Sequence, residues 1–417
     1  MLLRFYTHWR NSYSGIPPTI WFLSLITLVN RCGAMVIAFI TIYLTQELHF
    51  SLREAGYVMG CFGGGALVGA YLGGWLTDRL GYWSVQIASL LLNGLMLLVM
   101  MLVHDFGWMC FTVFVMSLVA EVFRPANSVA INLHCTVETR TRSISLYRMA
   151  ANIGWTVAPV VGGLMAALGW NWLFWVDGLT CMLAAFLVYR LLPNTPSPVH
   201  HHEEGDTPQM APLSPYRDRQ FLWFILLTML NGVIFMQLLW TVPVFFKQTY
   251  GWSEARIGLV SALNGLIVFM VEMPLIFRIE RLRAPLYFVR MGLILYALAY
   301  LAFTLPPGGM TNALLFITVI SFGEIFVMPF SSNHVYGRMG ATRQGQYVAL
   351  YTMAYSVANI IAPLLGTQII AAYGYNTLWY VLAGLSGVVW VGIWKVEKGT
   401  VRPASYIPAP SSTVPQT

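Results

Sequence analysis

The chain has 417 residues, of which 58% are hydrophobic and only 9% are charged, and its mean hydropathy is +0.67. A soluble protein carries about 25% charged residues, so this composition cannot cover a water-facing surface and excludes a soluble globular protein. The 23 Lys and Arg residues exceed the 16 Asp and Glu residues, but no basic run suited to nucleic acid is present. The composition predicts a membrane protein that crosses the bilayer several times.

Twelve apolar stretches, numbered here as spans 1 to 12, are each long enough for a membrane-crossing helix of about 20 residues. The first six cover residues 18–46, 53–76, 82–103, 107–132, 143–168 and 172–192, and the second six cover residues 219–247, 255–278, 285–305, 311–336, 345–372 and 376–396. The predicted fold is all-α, with an N-terminal six-helix bundle at 1–192 and a C-terminal six-helix bundle at 219–398.

The polar segment 193–218 between the two sixes is rich in Pro, His and charged residues. This composition predicts a flexible cytoplasmic linker. Its "HHHEE" stretch is interpreted as solvated rather than metal-binding, because nothing fixes the ligands. The Pro- and Ser-rich tail, 399–417, is predicted to be disordered.

The loops differ in charge. With both termini in the cytoplasm, the cytoplasmic loops and ends carry sixteen Lys and Arg residues, whereas the opposite loops carry only Arg53, Lys247 and Arg256. Cytoplasmic loops of membrane proteins carry an excess of Lys and Arg. We therefore expect cytoplasmic termini and a multi-pass protein of the plasma membrane, the inner membrane in a bacterium.

The second half of the chain repeats the first. "SLYRMAANIGWTVAPVVG" begins at residue 145, and "ALYTMAYSVANIIAPLLG" begins at residue 349. "DRL" (78–80) matches "ERL" (280–282), and "EVFRP" (121–125) matches "EIFVMP" (324–329). "LGWNWLFWV" (168–176) likewise matches "YGYNTLWYV" (373–381). Two pseudo-symmetric bundles around a central axis are the architecture of rocking secondary transporters.

The loop between spans 2 and 3 reads "GGWLTDRLG" (73–81). It resembles the G-x-x-x-D-R-x-G motif of the major facilitator superfamily, and the chain resembles that family over nearly its full length. The matching residues are Gly74, Asp78, Arg79 and Gly81. Gly74 allows close helix approach, Asp78 can face a helix N-terminus, and Arg79 can pair with an acid. The resemblance implies a latch for the outward-open state, although Tyr82 and Trp83 stand where the family usually has basic residues.

Span 5 contains "NIGWTVAPVVGG" (152–163). It resembles the G-x-x-x-G-P-x-x-G-G motif of the family's antiporters through Gly154, Pro159, Gly162 and Gly163, with Ala158 in place of a Gly. Small residues and a Pro would let span 5 pack tightly across the interface between the halves and bend there. The resemblance favours export of the drug:proton antiporter type, while ordinary helix packing would use the same residues.

A few ionisable residues fall inside the spans. They are Arg31 in span 1, Glu121 and Arg124 in span 4, Glu272 in span 8 and Glu324 in span 10, with Asp177 near the outer end of span 6. A charge at the bilayer centre costs about 2.5–3.5 kcal/mol on insertion scales, so each needs a partner, water or a proton. Glu121 and Arg124 can pair at i,i+3 spacing.

Glu121 and Glu324 are repeat equivalents, and the family resemblance implies that spans 1, 4, 7 and 10 line a central cavity. Glu121 is predicted to be the main protonation site, modulated by Arg124 and Arg31. Glu324 is the second candidate. Glu272 is a third candidate that could instead stabilise a kink or a contact between the halves. Direct contact of Arg31 with Glu121 remains open.

The predicted substrate cavity is polar, aromatic and Met-containing. Its candidate lining residues are Asn30, Met35, Tyr147, Asn152, Asn231, Phe235, Gln237, Trp240, Tyr351, Tyr355 and Asn359. Such a lining suits apolar or cationic compounds, whereas Arg31 and Arg124 would suit an anion, and the sequence does not decide between them.

The function predicted first is a proton-coupled exporter of small organic molecules. The alternative is a proton-coupled importer of a small nutrient such as a sugar, organic acid, peptide or metal chelate; a receptor or scaffold is a third hypothesis. No phosphate-binding loop or metal-ligand motif is present, so we expect no enzyme activity, no cofactor and no metal. The expected partners are a small-molecule substrate, protons and the lipid bilayer, for a monomer that binds no nucleic acid.

Overall fold

The computed structural model describes residues 13–194, 214–252, 254–306, 308–339 and 343–399, and every regular element in them is helical. The predicted linker and tail lie mostly outside these residues. The N-terminal bundle contains helices Pro18–Gly33 and Val36–Ile42 with a π-helical turn at Tyr43–Glu47 (span 1), Leu52–Leu80 (span 2), Tyr82–Met100 (span 3), Phe106–His134 (span 4), Arg140–Leu168 (span 5) and Trp170–Leu191 (span 6).

The C-terminal bundle repeats this order. It contains helices Arg219–Trp240 and Val242–Tyr250 (span 7), Glu254–Ile279 (span 8), Pro285–Ala302 (span 9), Met310–Arg338 (span 10) and Gln344–Gly399 (spans 11 and 12). The last helix turns at Gly374, whose φ of 80° and ψ of 173° are not helical. Ten helices of the described residues are long and apolar enough to cross a membrane. Dividing the last one at Gly374 and adding the interrupted span 1 gives twelve spans, which confirms the predicted fold.

The helix ends follow the local sequence. Ser51 and Glu54 form a reciprocal capping box at the start of span 2, and Asp105 accepts a hydrogen bond from the Trp108 amide (3.1 Å) at the start of span 4. Each cap satisfies backbone amides that have no partner within the helix. Spans 2 and 3 are joined by Gly81 alone, whose φ of 79° a residue with a Cβ rarely adopts.

The two bundles meet on the side of the molecule that carries the loops at 81, 135–139 and 280–284, which we call the basic side. The contact between the bundles becomes looser along one face of span 2, from Gly74 toward Gly56. A Cβ placed on Gly74 would lie 2.6 Å from the Cβ of Ala349 on span 11, and one on Gly63 would lie 4.0 Å from Ile360. On the same face, Gly56 and Gly60 have nothing within 4 Å. The structure is therefore closed on the basic side and widens toward the opposite side.

The other face of span 2 packs within its own bundle. A Cβ on Gly69 would lie 2.8 Å from the backbone carbon of Leu118 on span 4, and one on Gly73 would lie 2.8 Å from the Cα of Val122. These glycines let the two backbones approach in the way that small residues do in membrane helices.

We expect Gly69→Ala to lower the free energy of unfolding by about 1–3 kcal/mol, because the added methyl would force the backbones of spans 2 and 4 apart. Gly60→Ala is the matched control in the same helix and should change stability little, since its Cβ would enter open space. Thermal unfolding of the purified variants in detergent measures both. Equal stability of the two variants would contradict the packing described here.

Candidate functional site

The loop motif of residues 73–81 ties the two bundles together on the basic side. The Asp78 carboxylate accepts hydrogen bonds from the backbone amides of Gly345 (2.7 Å) and Gln346 (3.2 Å) at the start of span 11. A negative charge at a helix N-terminus is favourable, so Asp78 takes the position that the sequence suggested. Arg79 does not: it is exposed, its guanidinium lies 4.2 Å from the centroid of the Trp75 ring, and no acid among the described residues is within ion-pair distance.

A second contact on the basic side is the repeat counterpart of the first. Glu280, which corresponds to Asp78, lies 2.8 Å from the Nε of Arg142 at the start of span 5, and both side chains are buried. Spans 5 and 11 are themselves repeat equivalents. Each bundle therefore contacts the start of the other bundle's fifth helix through an acid at the end of its own second helix. Burial raises the pKa of Glu280 to about 7, although the Arg142 guanidinium opposes the shift.

Arg148 of span 5 forms the central contact between the bundles. Its Nη2 lies 2.9 Å from the Oε1 of Glu324 on span 10, and its Nε lies 3.4 Å from the Oε1 of Glu272 on span 8. Asn264 donates to the other Glu324 oxygen at 3.2 Å. The three charged side chains are at most 18% exposed. Glu272 therefore makes the contact between halves that the sequence left as one of two alternatives.

Sequence reasoning missed Arg148, although a signal for it exists. Of the 23 basic residues, nineteen belong to predicted loops and ends, and the four that remain are Arg31, Arg124, Arg148 and Arg290. A count of bases against spans would have placed Arg148 inside the membrane. Arg290 pairs with Glu397 (2.9 Å) within the C-terminal bundle, so it does not join the two halves.

The N-terminal bundle contains a cavity of about 50 Å³ with a mixed polar and apolar lining. Its lining residues are Asn30, Arg31, Ala34, Ile37, Phe62, Ser89, Leu90, Asn93, Leu97, Met116, Ser117, Ala120, Glu121, Phe123, Asp177 and Cys181. Arg31 and Glu121 thus share a cavity, but among the described residues only Arg124 lies within ion-pair distance of Glu121 (3.4 Å, as predicted). Glu121 Oε2 is buried without a hydrogen-bond partner.

The glycines of the span 5 motif pack inside the N-terminal bundle, not across the interface that the sequence suggested. A Cβ on Gly154 would lie 3.0 Å from the backbone carbon of Arg31. One on Gly162 would lie 2.9 Å from Phe39, and one on Gly163 would lie 3.6 Å from the same ring. Pro159 lies in the same helix, Arg140–Leu168. It is the other part of span 5, with Arg142 and Arg148, that reaches the C-terminal bundle.

Two predicted cavity residues belong to the protein interior instead. Gln237 is fully buried, donates to the Ala362 carbonyl (2.8 Å) and accepts a hydrogen bond from Thr241. It thereby fixes span 7 against span 11 beside the break at Thr241. Met35 is 3% exposed within the N-terminal core. Both are long side chains whose burial depends on neighbours that are distant in sequence.

The remaining predicted lining residues are spread over both bundles. Asn30 donates to Cys181 Sγ (3.5 Å), Asn231 is buried with no partner for its Oδ1, and Phe235 lies 6.1 Å from the Tyr296 ring. The exposed Trp240 donates to Asn359 (3.0 Å). Tyr147 and Asn152 are half-buried, as are Tyr351 and Tyr355, which contact Ser332 and Met328.

The Arg148 cluster places two carboxylates beside one guanidinium. With all three ionised, the cluster carries one excess negative charge, which a buried site neutralises with a proton or another cation. Within the described part of the chain, no group of three His, Cys, Asp or Glu residues is arranged to hold a metal ion.

We expect Arg148→Gln to lower the free energy of unfolding at neutral pH by about 3–5 kcal/mol, because Glu272 and Glu324 would stay buried without a cation. The loss should shrink as the pH falls and the carboxylates take up protons. Arg290→Gln is the matched control: Arg290 is about as exposed as Arg148 (17% against 18%), but it leaves only one acid, Glu397, which is 24% exposed, so the loss should be smaller. Thermal unfolding in detergent against pH tests this, and an equal, pH-independent loss in both variants would contradict it.

With Glu272 and Glu324 replaced by Gln, so that their protonation does not contribute, we expect closure of the basic side to become more favourable as the pH falls from about 7 to about 4.3, the pKa of an exposed Glu. The pKa of Glu280 in the closed structure is about 7, so closure takes up a proton in this window, and the advantage is lost as the pH rises through 7. Spin labels at the exposed residues Val137 and Leu282, in a background without native cysteines, report the separation of the bundles. Glu280→Gln should flatten this pH dependence; if it persists in the variant, another group is responsible.

Comparisons with known proteins agree with this architecture. The Na(+), Li(+), K(+)/H(+) antiporter of Planococcus maritimus is 22% identical over 408 residues, covering 89% of this chain and 95% of that protein. Multidrug resistance protein 1 of Bacillus subtilis is 21% identical over 351 residues, covering 82% and 89%.

Solved structures share the fold at low sequence identity. The human organic anion transporter MFSD10 superposes with a TM-score of 0.74 at 15% identity, covering 90% of this chain and 98% of that one. The Escherichia coli fucose:proton symporter superposes with a TM-score of 0.71 at 15% identity, covering 91% and 98%. A model described as Major Facilitator Superfamily matches residues 23–362. The chain belongs to the major facilitator superfamily.

Proposed function

We propose that this transporter exports small organic molecules in exchange for protons by alternating access. The observation that carries the proposal is the sharing of Arg148 between Glu272 and Glu324 across the bundle interface. The shared cation leaves one negative charge without a partner, and both acids come from the bundle opposite to the arginine. The protonation state of the acids and the closure of the interface are therefore linked.

The proposed cycle uses competition for the two carboxylates. In the closed structure, protons reach Glu324 and Glu272 from the side that is open, and protonation weakens their attraction to Arg148. The basic side can then open, because separating Arg148 from neutral acids costs less than separating it from charged ones. On the basic side the protons leave and a substrate enters. The re-ionised acids then draw Arg148 back, which closes the basic side, and the substrate leaves toward the side that is now open.

Among the candidate acids, Glu324 and Glu272 become the main protonation sites of the proposed mechanism. Glu121 keeps the role of a second protonation site, because it shares a cavity with Arg31 and pairs with Arg124. Glu324 and Glu272 move ahead of it, because their partner lies on the moving interface. Asp78, Glu280 and Arg142 serve as the latch that holds the basic side closed.

The direction of transport rests on two supports. The span 5 motif matches the antiporter pattern, and two relatives are named an antiporter and a multidrug resistance protein. The charge asymmetry of the loops supports a cytoplasmic basic side, and hence cytoplasmic termini in the plasma membrane of a cell. A monomer suffices for the mechanism, since both halves of the interface belong to one chain.

The alternative is a proton-coupled importer of a small nutrient. The observation that favours it is the fold of the fucose:proton symporter, which matches this chain over 91% of its length. The same Arg148 cluster could couple import, because a proton that neutralises an acid can travel with the substrate as well as against it.

Everted membrane vesicles energised by respiration, with a pH-sensitive dye and a panel of organic compounds, distinguish the two directions. For an antiporter, we expect a compound added outside to collapse the pH gradient only when the protein is present. Glu324→Gln should abolish the response, because Gln cannot carry a proton, and Glu121→Gln should reduce it. Glu397→Gln, which alters the pair with Arg290, is the control and should retain it.

If no compound collapses the gradient, but acidifying the medium makes whole cells accumulate a nutrient through this protein, the chain is an importer. A response that is unchanged in both Glu324→Gln and Glu121→Gln would remove the proposed carboxylates from the coupling mechanism.

A further inference from the structure

Span 1 is interrupted near its middle, and one acid of span 6 holds the interruption. The first helix ends at Gly33, Ala34 has a non-helical ψ of 56°, and the next helix begins at Val36. The Oδ2 of Asp177 accepts hydrogen bonds from the backbone amides of Met35 (3.1 Å) and Val36 (3.0 Å). The Met35 amide also lies 2.6 Å from the Gly33 carbonyl, so Val36 depends on Asp177 more strongly.

Asp177 is itself an unusual group for this position. It is 3% exposed, and among the described residues no basic side chain lies within ion-pair distance of it. Its Oδ1 has only the weak donor Cys181 Sγ, at 3.9 Å. A buried carboxylate that is stabilised by two amides alone gains much from a proton, because burial penalises its charged form.

A proton has a route to Asp177 through the cavity of the N-terminal bundle. The cavity of about 50 Å³ reaches Asp177, Arg31 and Glu121, and a space of this size that polar groups border can hold several water molecules. Two acceptors on its wall, Glu121 Oε2 and Asn93 Oδ1, are buried without a donor. The wall therefore favours an occupant that donates hydrogen bonds, as water and hydronium do.

The charged and titratable groups that face Asp177 in this cavity are few. Span 1 contributes Arg31, span 4 contributes Glu121, and span 6 itself contributes Cys181. Spans 2 and 3 contribute only uncharged lining residues, and span 5, which also packs on span 6, contributes none.

The duplication shows that an acid is not required here for packing. The repeat of residues 168–176 at 373–381 places Leu382 at the position of Asp177. Leu382 is fully buried in the C-terminal bundle. Span 7 is also interrupted, at Thr241, but there the neighbouring polar contact comes from the uncharged Gln237. Only the N-terminal copy places an ionisable group on the break.

We propose that Asp177 is a proton-sensitive clamp: ionised, it holds the outer segment of span 1 (residues 36–47) through the Met35 and Val36 amides, and protonated, it releases them. The proton binds one carboxylate oxygen and removes the negative charge, so the two amide hydrogen bonds weaken. The break at Ala34 then becomes a hinge. The outer segment packs on span 6 through Tyr43, which lies 4.9 Å from the Phe174 ring, so its movement alters the outer end of the bundle.

The clamp deepens the proposed function, because it gives protons that enter the N-terminal bundle a mechanical effect on span 1. Asp177 acts as a positioning residue in this scheme. It holds a helix and has no contact with substrate.

Hydrogen exchange followed by mass spectrometry tests the clamp on the full chain in lipid nanodiscs. After correction for the intrinsic pH dependence of exchange, we expect the amides of residues 35 and 36 in the unaltered protein to lose about tenfold protection from about pH 8 to about pH 5, the loss of one charge-assisted hydrogen bond. This measurement needs no variant, so it remains decisive if a variant fails to fold. Protection that is independent of pH overturns the proposal.

Two variants assign the effect to its residue. In Asp177→Asn, an amide oxygen remains to accept hydrogen bonds but cannot titrate, so protection should be reduced and constant with pH. Glu121→Gln alters the same cavity without touching the break, and it should keep the pH dependence of the unaltered protein. If Asp177→Asn retains the dependence, or Glu121→Gln removes it, Asp177 is not the sensor.

The clamp and the proposed function can fail separately. Exchange is measured without a substrate or a proton gradient, whereas the vesicle experiment measures transport alone. A compound that collapses the gradient together with pH-independent exchange supports antiport and removes the clamp. A pH-dependent break without any response in vesicles supports the clamp and removes antiport.

Discussion

Arg148 illustrates the constraint on which the rest of this structure depends: a charge buried in an apolar bundle must be neutralised by something within reach. The partners of Arg148 are Glu272 and Glu324, 124 and 176 residues away along the chain and both in the other bundle. Breaking such a contact by removing one member leaves an uncompensated charge, which is strongly unfavourable in a buried site. Closure of the interface brings these three charges together, and the proposed proton coupling depends on how the excess negative charge is neutralised.

The pseudo-symmetry of the two bundles is most informative where it fails. Glu121 and Glu324 occupy equivalent positions, but Glu121 has Arg124 on its own helix, whereas Val327 occupies the corresponding position after Glu324. Glu324 therefore has no basic residue at this position of its own helix, and it pairs with Arg148 across the interface. Asp78 and Glu280 remain equivalent, and they make matching contacts with spans 11 and 5. The duplication gives both bundles the same order of helices and the same acid contact with the other bundle, and single differences between the copies decide whether an acid pairs within its helix or across the interface.

The structure combines strong contacts between the bundles with loosely packed helix faces and interrupted helices, and a conformational change would use both. The glycine face of span 2 touches span 11 at Gly74 and has no neighbour at Gly56 and Gly60, so the bundles already diverge away from the basic side. Spans 1 and 7 are each interrupted. At Ala34, Asp177 accepts hydrogen bonds from the freed amides, and at Thr241, Gln237 accepts one from the Thr241 hydroxyl. An interrupted membrane helix is tolerated only when its freed amides find such partners. Asp177 is such a partner in span 1, whereas Gln237 contacts the Thr241 hydroxyl and the Ala362 carbonyl, and of the two side chains only the acid can respond to pH.

The sequence alone determined the features that depend on local pattern and on the bilayer. It set the twelve spans, their order and the pairing of Glu121 with Arg124, because these follow from helical spacing or from the length of apolar runs. It also showed the duplication through repeated segments, and a loop motif suggested that Asp78 faces a helix N-terminus. Tertiary structure alone decided that Arg148 joins Glu272 and Glu324, that Gln237 is buried, that the span 5 glycines face span 1, and that Asp177 holds the break in span 1. Those contacts join residues far apart in the chain, and a side chain's neighbours across a helix interface depend on rotations and depths that no local pattern records.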